Sequence, residues 1–101
     1  MIKQFPPKNS GKTLEYKIVY KNSVGKDIRS IPKEIIRKSI DIIENKISKN
    51  PYIGMQLKGK YKELWKYRIQ NYRVIYTIDS FDKKILILRI RHRKEVYNNI
   101  F

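Results

Sequence analysis

The chain has 101 residues, the length of about one domain, and 41% of them are hydrophobic, which is enough for a small core. It contains no cysteine, which excludes a disulfide scaffold, a thiol nucleophile and cysteine-ligated zinc or iron–sulfur sites. Its 24 lysines and arginines against nine acids give a net charge of +15, which indicates a polyanionic partner, with nucleic acid as the first candidate. A membrane surface or an acidic protein is the alternative partner.

Apolar runs and metal-ligating residues are both scarce. The longest apolar runs are too short to span a bilayer, and the N-terminus lacks the apolar stretch of a secretory signal. We therefore expect a cytoplasmic protein with no membrane partner. Because the chain has one histidine, His92, and no cysteine, we expect neither a metal site nor a cofactor.

The N-terminal part of the chain predicts an arm, a strand and a short helix. Residues 1–13 mix proline, glycine and polar residues, and we expect a loose arm in front of a single domain at residues 14–101. The tyrosines and β-branched residues from Leu14 to Tyr20 predict a strand. A short helix is expected within residues 22–30, although Gly25 weakens it.

A longer helix is predicted between Pro32, which suits a first helical turn, and Asn50, which precedes the proline that would end it. Ser30 is the expected cap. Isoleucines at helical spacing predict a stripe that faces the core: Ile36, Ile40, Ile43 and Ile47, with Ile35 and Ile42 beside them.

The C-terminal part predicts three strands, roughly residues 62–69, 72–79 and 84–91, after a turn-rich link. Only Gln70 and Asn71 separate the first two, which predicts a tight hairpin with Asn71 able to accept a positive φ. The connections are too short for crossover helices, so these strands are expected to be antiparallel. The fold class is therefore α+β, of order β-α-α-β-β-β, with two helices packed on one face of an antiparallel sheet.

The hairpin register determines which charged side chains share a face of this sheet. With a two-residue loop, Arg68 pairs with Arg73, and alternation puts Lys66 on the same side. The last strand would bring Arg89 or Arg91 beside Arg73. Like charges directly opposite each other reduce stability, so this face is expected to bind a polyanion. The other face carries the residues that should meet the helix: Trp65, Tyr67, Ile69, Tyr72, Val74, Tyr76 and Ile78.

The same region contains two recognisable runs, LWKYRIQNYRVIYTID and ILILRIRHRKEVY. In their order and spacing they resemble the C-terminal half of the RelE/ParE toxin superfamily, and the upstream segments IPKEI and NPYIGMQLKG also fit. The resemblance covers about residues 14–98. Two positions depart from the family pattern, because Gln70 replaces the glycine of the hairpin turn and Arg91 replaces the glycine before His92.

The resemblance implies a toxin of a bacterial or archaeal type II toxin–antitoxin pair. Its RelE branch cleaves mRNA in the ribosomal A site, whereas its ParE branch poisons DNA gyrase and lacks the cleaving residues. We expect a RelE-like, ribosome-dependent endoribonuclease (an mRNA interferase). The alternatives are a gyrase poison and a non-catalytic RNA-binding or ribosome-binding module. The implied partners are an acidic cognate antitoxin that wraps the toxin, and the ribosome with its mRNA and rRNA.

Matching the RelE motif residue by residue implies five catalytic candidates: Lys66, Arg68, Arg73, Arg93 and Tyr97. Arg91 takes the place of Arg93 if residues are counted back from the tyrosine without a gap, and His92 is a further catalytic candidate. Three residues are expected to contact RNA around the site: Lys62, Arg89 and Arg91.

The chemistry expected from the resemblance is attack of an RNA 2′-hydroxyl on its own 3′-phosphate, which requires no protein nucleophile and no metal. Arginine forks match phosphate oxygens, so Arg73 and Arg93 are expected to stabilise the transition state. Neighbouring positive charges favour the neutral amine of Lys66, which makes it the candidate base. Arg68 is expected to support binding, and Tyr97 is expected to stack on a nucleobase.

Overall fold

The computed structural model describes residues 15–94, so the expected arm at residues 1–13 and the candidate Tyr97 lie outside the described residues. Two α-helices are described, α1 (Asn22–Asp27) and α2 (Lys33–Ile42). Five strands form a single sheet: β1 (Lys17–Tyr20), β2 (Met55–Gln56), β3 (Trp65–Ile69), β4 (Tyr72–Asp79) and β5 (Lys84–His92).

The sheet is open and mixed, with the strand order β1-β5-β4-β3-β2. The predicted antiparallel arrangement of β3, β4 and β5 is confirmed. The sheet as a whole is not antiparallel, because β1 runs parallel to β5. The two helices between β1 and the later strands form the crossover that a parallel pair needs. The short strand β2 lies within the predicted turn-rich link and pairs antiparallel with β3.

The β3–β4 hairpin has the predicted register, with Ile69 opposite Tyr72. The positive φ, however, is at Gln70 (55°), whereas Asn71 is not among the described residues of positive φ. The family pattern has glycine at position 70, and glycine adopts this backbone region without the steric penalty of a Cβ. The glutamine therefore carries a strained conformation at the tip of the hairpin.

Helix α2 begins after Pro32, and no side chain caps it. The expected cap, Ser30, instead donates a hydrogen bond from Oγ to the carbonyl oxygen of Asp27 (3.1 Å). The helix then continues as a wider π-helical turn over Ile43–Ile47.

The buried face of this helix agrees in part with the predicted stripe. Ile43 and Ile47 are fully buried and Ile36, which is half-buried, packs against the core, whereas the half-buried Ile40 is not among the described core residues. The buried side chains of the helix are four residues apart. This spacing stays on one face because the π-helical turn has more residues per turn than an α-helix. The residues on it are Ile35, Ser39, Ile43 and Ile47.

The main core lies between the helices and one face of the sheet, as predicted. Its sheet side is fully buried at Val74, Tyr76, Ile85, Ile87 and Ile90. A smaller apolar cluster lies on the other face, where Leu57 and Leu64 of the link pack against Ile75 and Leu88. The link therefore covers part of the sheet face opposite the helices and leaves the remainder exposed. Within the described residues, no helix is long and apolar enough to cross a membrane.

Candidate nucleic-acid interface

The exposed part of the face opposite the helices carries a group of basic residues beside the β3–β4 hairpin. Arg68 lies directly opposite Arg73, and Arg73 lies directly opposite Arg91, on three adjacent strands. Lys66 lies two residues before Arg68 on β3 and therefore points to the same side. We call these four residues, Lys66, Arg68, Arg73 and Arg91, the cationic patch. The register predicted from the two-residue hairpin is confirmed, with Arg91 rather than Arg89 beside Arg73.

A cleft of about 370 Å³ lies on this patch. The residues that line it are Ile53, Gly54, Met55, Lys66, Tyr67, Arg68 and Arg73. Met55 on β2 lies directly opposite Lys66 on β3, so the two residues form neighbouring walls. The cleft thus combines basic side chains with exposed apolar ones, which suits a ligand that has both phosphate and ring groups.

Backbone contacts hold the Arg73 side chain next to the hairpin. Its Nη1 donates a hydrogen bond to the carbonyl oxygen of Tyr72 (3.1 Å), and the carbonyl oxygen of Gln70 lies 3.5 Å away. Arg73 and Lys66 are half-buried, whereas Arg68 is exposed. A guanidinium has five N–H donors in a fixed plane, and these two contacts orient that of Arg73 at the hairpin.

Arg93 lies beyond the end of β5, beside the hairpin turn. Its backbone N–H donates to the carbonyl oxygen of Asn71 (2.7 Å), which brings it to the same end of the sheet as the cationic patch. Arg91 and Arg93 thus both remain candidates for the second phosphate-binding arginine.

His92 points away from the patch. It lies opposite Tyr72, with the two rings edge to face at 5.3 Å, and its Nδ1 accepts a hydrogen bond from the backbone of Lys94 (3.2 Å). The cleft it lines, with Lys26 and Ser30, is on the helix side of the sheet. This is the placement that strand alternation predicts.

Arg89 is engaged within the fold. Its Nε and Nη2 donate to the two carboxylate oxygens of Asp27 on α1 (2.9 and 2.6 Å), and both side chains are largely buried. Hydrogen bonding to Asp27 raises the pKa of the Arg89 guanidinium. Arg89 lies opposite Ile75, next to a β-bulge, instead of beside Arg73. We therefore leave Arg89 out of the candidate interface.

Lys62 is exposed in the link that precedes β3, three residues before the strand begins. Its carbonyl oxygen accepts a hydrogen bond from Gln56 Nε2 (2.6 Å), which ties the link to β2. Lys62 thus lies in the link and not on a strand, and it is not among the residues that line the cleft. Among residues 15–94, no cluster of three histidine or acidic side chains could hold a metal ion.

Asp27, Ile53 and Met55 were not predicted from the sequence. Asp27 could have been singled out as the lone acid of a helix in a strongly basic chain. Ile53 and Met55 interrupt a polar, turn-rich link with apolar side chains that contribute little to the core. Their position at the cleft depends on the pairing of β2 with β3, which a two-residue strand signals poorly.

Comparison with known proteins gives a consistent result. A family model described as the ParE toxin of the type II toxin–antitoxin system parDE matches residues 18–97. Toxin RelG of Mycobacterium tuberculosis is 24% identical over 85 residues, which are 83% of this chain and 98% of that protein. The RelBE2 toxin–antitoxin complex of M. tuberculosis contains a similar chain (TM-score 0.73, 24% identity), with 78% of this chain and 99% of that chain covered.

An archaeal RelE–RelB complex from Pyrococcus horikoshii contains a second similar chain (TM-score 0.58, 29% identity), with 78% of this chain and 96% of that chain covered. The match to the family model extends over most of the chain, from β1 beyond the end of β5. The chain therefore belongs to the ParE toxin family, within the RelE/ParE superfamily, and is a toxin of a type II toxin–antitoxin system.

Proposed function

We propose that this toxin is a ribosome-dependent endoribonuclease that cleaves mRNA in the ribosomal A site, in the cytoplasm. The observation that carries the proposal is the pairing of Arg68, Arg73 and Arg91 on three adjacent strands. Neighbouring strands lie about 4.8 Å apart, so three positive charges are crowded with Lys66 on one face. A group of basic side chains on one face attracts a polyanion, and an RNA phosphodiester is an anion that arginine forks bind well.

The proposed reaction uses a nucleophile within the RNA. The 2′-oxygen attacks the adjacent phosphorus, the P–O5′ bond breaks, and the products carry a 2′,3′-cyclic phosphate and a free 5′-hydroxyl. The 2′-hydroxyl loses its proton to a base, and the leaving 5′-oxygen takes a proton from water in the open cleft. The protein has to align the RNA and stabilise the additional negative charge on the phosphate.

Each residue of the patch has a proposed role in this reaction. Lys66, half-buried on the cleft wall, accepts the proton of the 2′-hydroxyl. Arg73 stabilises the charge on the phosphate, together with Arg91 or Arg93. Arg68, which is exposed, binds the RNA backbone. By resemblance, Tyr97 stacks on a nucleobase.

The proposed partners are the ribosome and a cognate antitoxin. The similar structures from M. tuberculosis and P. horikoshii are complexes of a toxin with its antitoxin, which supports the second partner. A net charge of +15 favours an acidic antitoxin, and a chain that covers the cationic patch would prevent RNA binding. We propose that inhibition works in this way.

The description of the matched family favours a second candidate, poisoning of DNA gyrase. This activity does not require a phosphate-aligning set of basic residues on one sheet face. The relatives named RelG and RelE support the ribonuclease instead.

Induction of the toxin in cells, followed by mapping of RNA 5′ ends, tests the proposal. We expect cuts phased with codons in translated messages, and we expect Arg73→Ala to reduce them at least 100-fold while the protein stays folded. Arg37→Ala, which removes an exposed arginine from α2, is the matched control and should leave cleavage unchanged.

Two results would contradict the proposed activity, and a third would change its mechanism. Gyrase trapped on DNA, without cut RNA, would favour the ParE-like activity. Growth arrest with neither product would indicate a binding module without catalysis. Undiminished cleavage by Arg73→Ala would remove Arg73 from the mechanism.

A further inference from the structure

We propose that Ile53 and Met55 form a nucleobase subsite, in which the base next to the scissile phosphate packs against these two side chains. The inference rests on the proposed function, because it requires that the cleft binds RNA. It adds a part of the cleft that holds a base to the part that holds a phosphate. It identifies these residues as determinants of RNA binding and base preference.

The first observation is the exposure of the two side chains. Met55 is 63% exposed and Ile53 is 41% exposed, yet both line the cleft that carries the cationic patch. Single exposed apolar residues are common on protein surfaces and need no explanation. Two of them in one cleft with three basic side chains form a mixed site, and a nucleotide has a matching apolar ring and anionic phosphate.

The second observation is the spacing between the apolar and basic walls. Met55 lies directly opposite Lys66, and its diagonal neighbour on β3 is Arg68. Diagonal neighbours in an antiparallel pair are about 7–8 Å apart. A single nucleotide can therefore contact Met55 with its base while its phosphate lies against Arg68.

The third observation is that the segment is held in place before any ligand binds. Tyr76 Oη donates a hydrogen bond to the carbonyl oxygen of Pro51 (2.6 Å). A Cβ at Gly54 would collide with the Tyr76 hydroxyl and the backbone of Lys66, so the chain passes closely over β3 and β4. The backbone that carries the subsite is thus held in place without a ligand, while the flexible Met55 side chain adapts to different nucleobases.

The chemistry of the subsite predicts its preference. The two side chains offer dispersion and S–aromatic contacts, which act on the face of any base. Purines present a larger face than pyrimidines, so we expect a purine to bind more tightly at this position.

Methionine methyl NMR tests the subsite directly, because the chain contains only two methionines, Met1 and Met55. The probe is a short RNA with 2′-O-methyl riboses, which cannot undergo the proposed cleavage, and its counterpart lacks the base at one nucleotide. We expect an upfield shift of the Met55 methyl signal with the intact probe and a much smaller shift with the abasic probe. The variant Met55→Leu identifies the signal.

Affinity for the same probes gives a second readout. Met55→Ala should weaken binding of the intact purine probe about tenfold and leave the abasic probe unchanged. Phe81→Ala is the matched control, since Phe81 is 93% exposed in the β4–β5 turn, away from the cleft.

Equal Met55 shifts with both probes, or unchanged affinity in Met55→Ala, would overturn the subsite. Neither result would affect the proposed ribonuclease activity, which depends on the mapped 5′ ends. Conversely, a toxin that binds both probes as expected but cuts no RNA in cells would keep the subsite and remove the proposed cleavage.

Discussion

Asp27 is a buried acid in a chain of net charge +15, and its carboxylate joins α1 to β5. It accepts hydrogen bonds from the Arg89 side chain and from the backbone N–H of Ile90 (3.1 Å). Ser23 of the same helix donates to the carbonyl oxygen of Leu88 (2.6 Å). Because β1 pairs only with residues 84–87, α1 completes the hydrogen bonds of β5 beyond the end of β1. The side chains of this short helix thus provide hydrogen-bond partners that a neighbouring strand would otherwise provide to β5.

We expect Asp27→Ala to destabilise the protein by about 3–5 kcal/mol, because it leaves the Arg89 cation and a backbone N–H without their acceptor. Urea unfolding of the purified toxin measures the change. Glu34→Ala, which removes an exposed ion pair with Lys38, is the control and should change stability by less than about 1 kcal/mol. Equal effects of the two substitutions would contradict a structural role for the Asp27–Arg89 pair.

The buried hydroxyl of Tyr76 should make the stability of the toxin depend on pH. Burial raises the pKa of its hydroxyl above the ordinary value. The stability gained from the neutral hydroxyl is therefore complete below about pH 10 and is lost as the pH rises above it. We expect Tyr76→Phe to be about 1–2 kcal/mol less stable at pH 7, since it loses the bond to Pro51, and the difference should narrow above pH 10.

Urea unfolding of both proteins at pH 7, 10 and 11 measures this difference. Lysines and other tyrosines titrate equally in the two proteins, so the comparison isolates Tyr76. A constant difference across this range would show that the Tyr76 hydroxyl contributes nothing to the pH dependence.

At the scale of elements, the β3–β4 hairpin carries an identifiable strain. Gln70 adopts a φ of 55°, which costs a residue with a Cβ about 1 kcal/mol relative to glycine. We expect Gln70→Gly to stabilise the toxin by about 0.5–1 kcal/mol, measured by thermal or urea unfolding. Asn71→Gly is the control and should destabilise the toxin. Asn71 is not among the described positive-φ residues, so glycine there would only increase the conformational entropy of the unfolded chain.

The hairpin was predictable because its determinants are local. Two loop residues fix the pairing, and the period of two then assigns every side chain of β3 and β4 to a face. The parallel pairing of β1 was not predictable in this way, since it depends on how two helices return the chain to the sheet. The difference between the predicted stripe and the buried face, which excludes Ile40 and includes Ile35 and Ser39, has a similar origin, because the π-helical turn after Ile42 is not signalled by the spacing of apolar residues.

At the scale of the whole molecule, the net charge predicts a strong salt dependence of RNA binding. The logarithm of the affinity for single-stranded RNA should fall linearly with the logarithm of the salt concentration, with a slope of about −0.7 per phosphate contacted. We expect Arg68→Ala to reduce this slope by about 0.7 and Arg37→Ala to leave it unchanged. Titration of the 2′-O-methyl probe at several salt concentrations measures the slope. Equal slopes for the two variants would mean that binding follows bulk charge and not the cationic patch.

The amino-acid sequence by itself determined the α+β class, the antiparallel meander and the clustering of Lys66, Arg68 and Arg73, because alternation and a two-residue turn are short-range rules. It could not distinguish which arginine of the last strand joins them. Tertiary packing decided that point: a bulge in β5 and the carboxylate of Asp27 draw Arg89 to α1, and Arg91 remains opposite Arg73. Packing also brought Ile53 and Met55 to the cleft. This placement was not predictable, because contacts between segments distant in the chain leave no local pattern in the sequence.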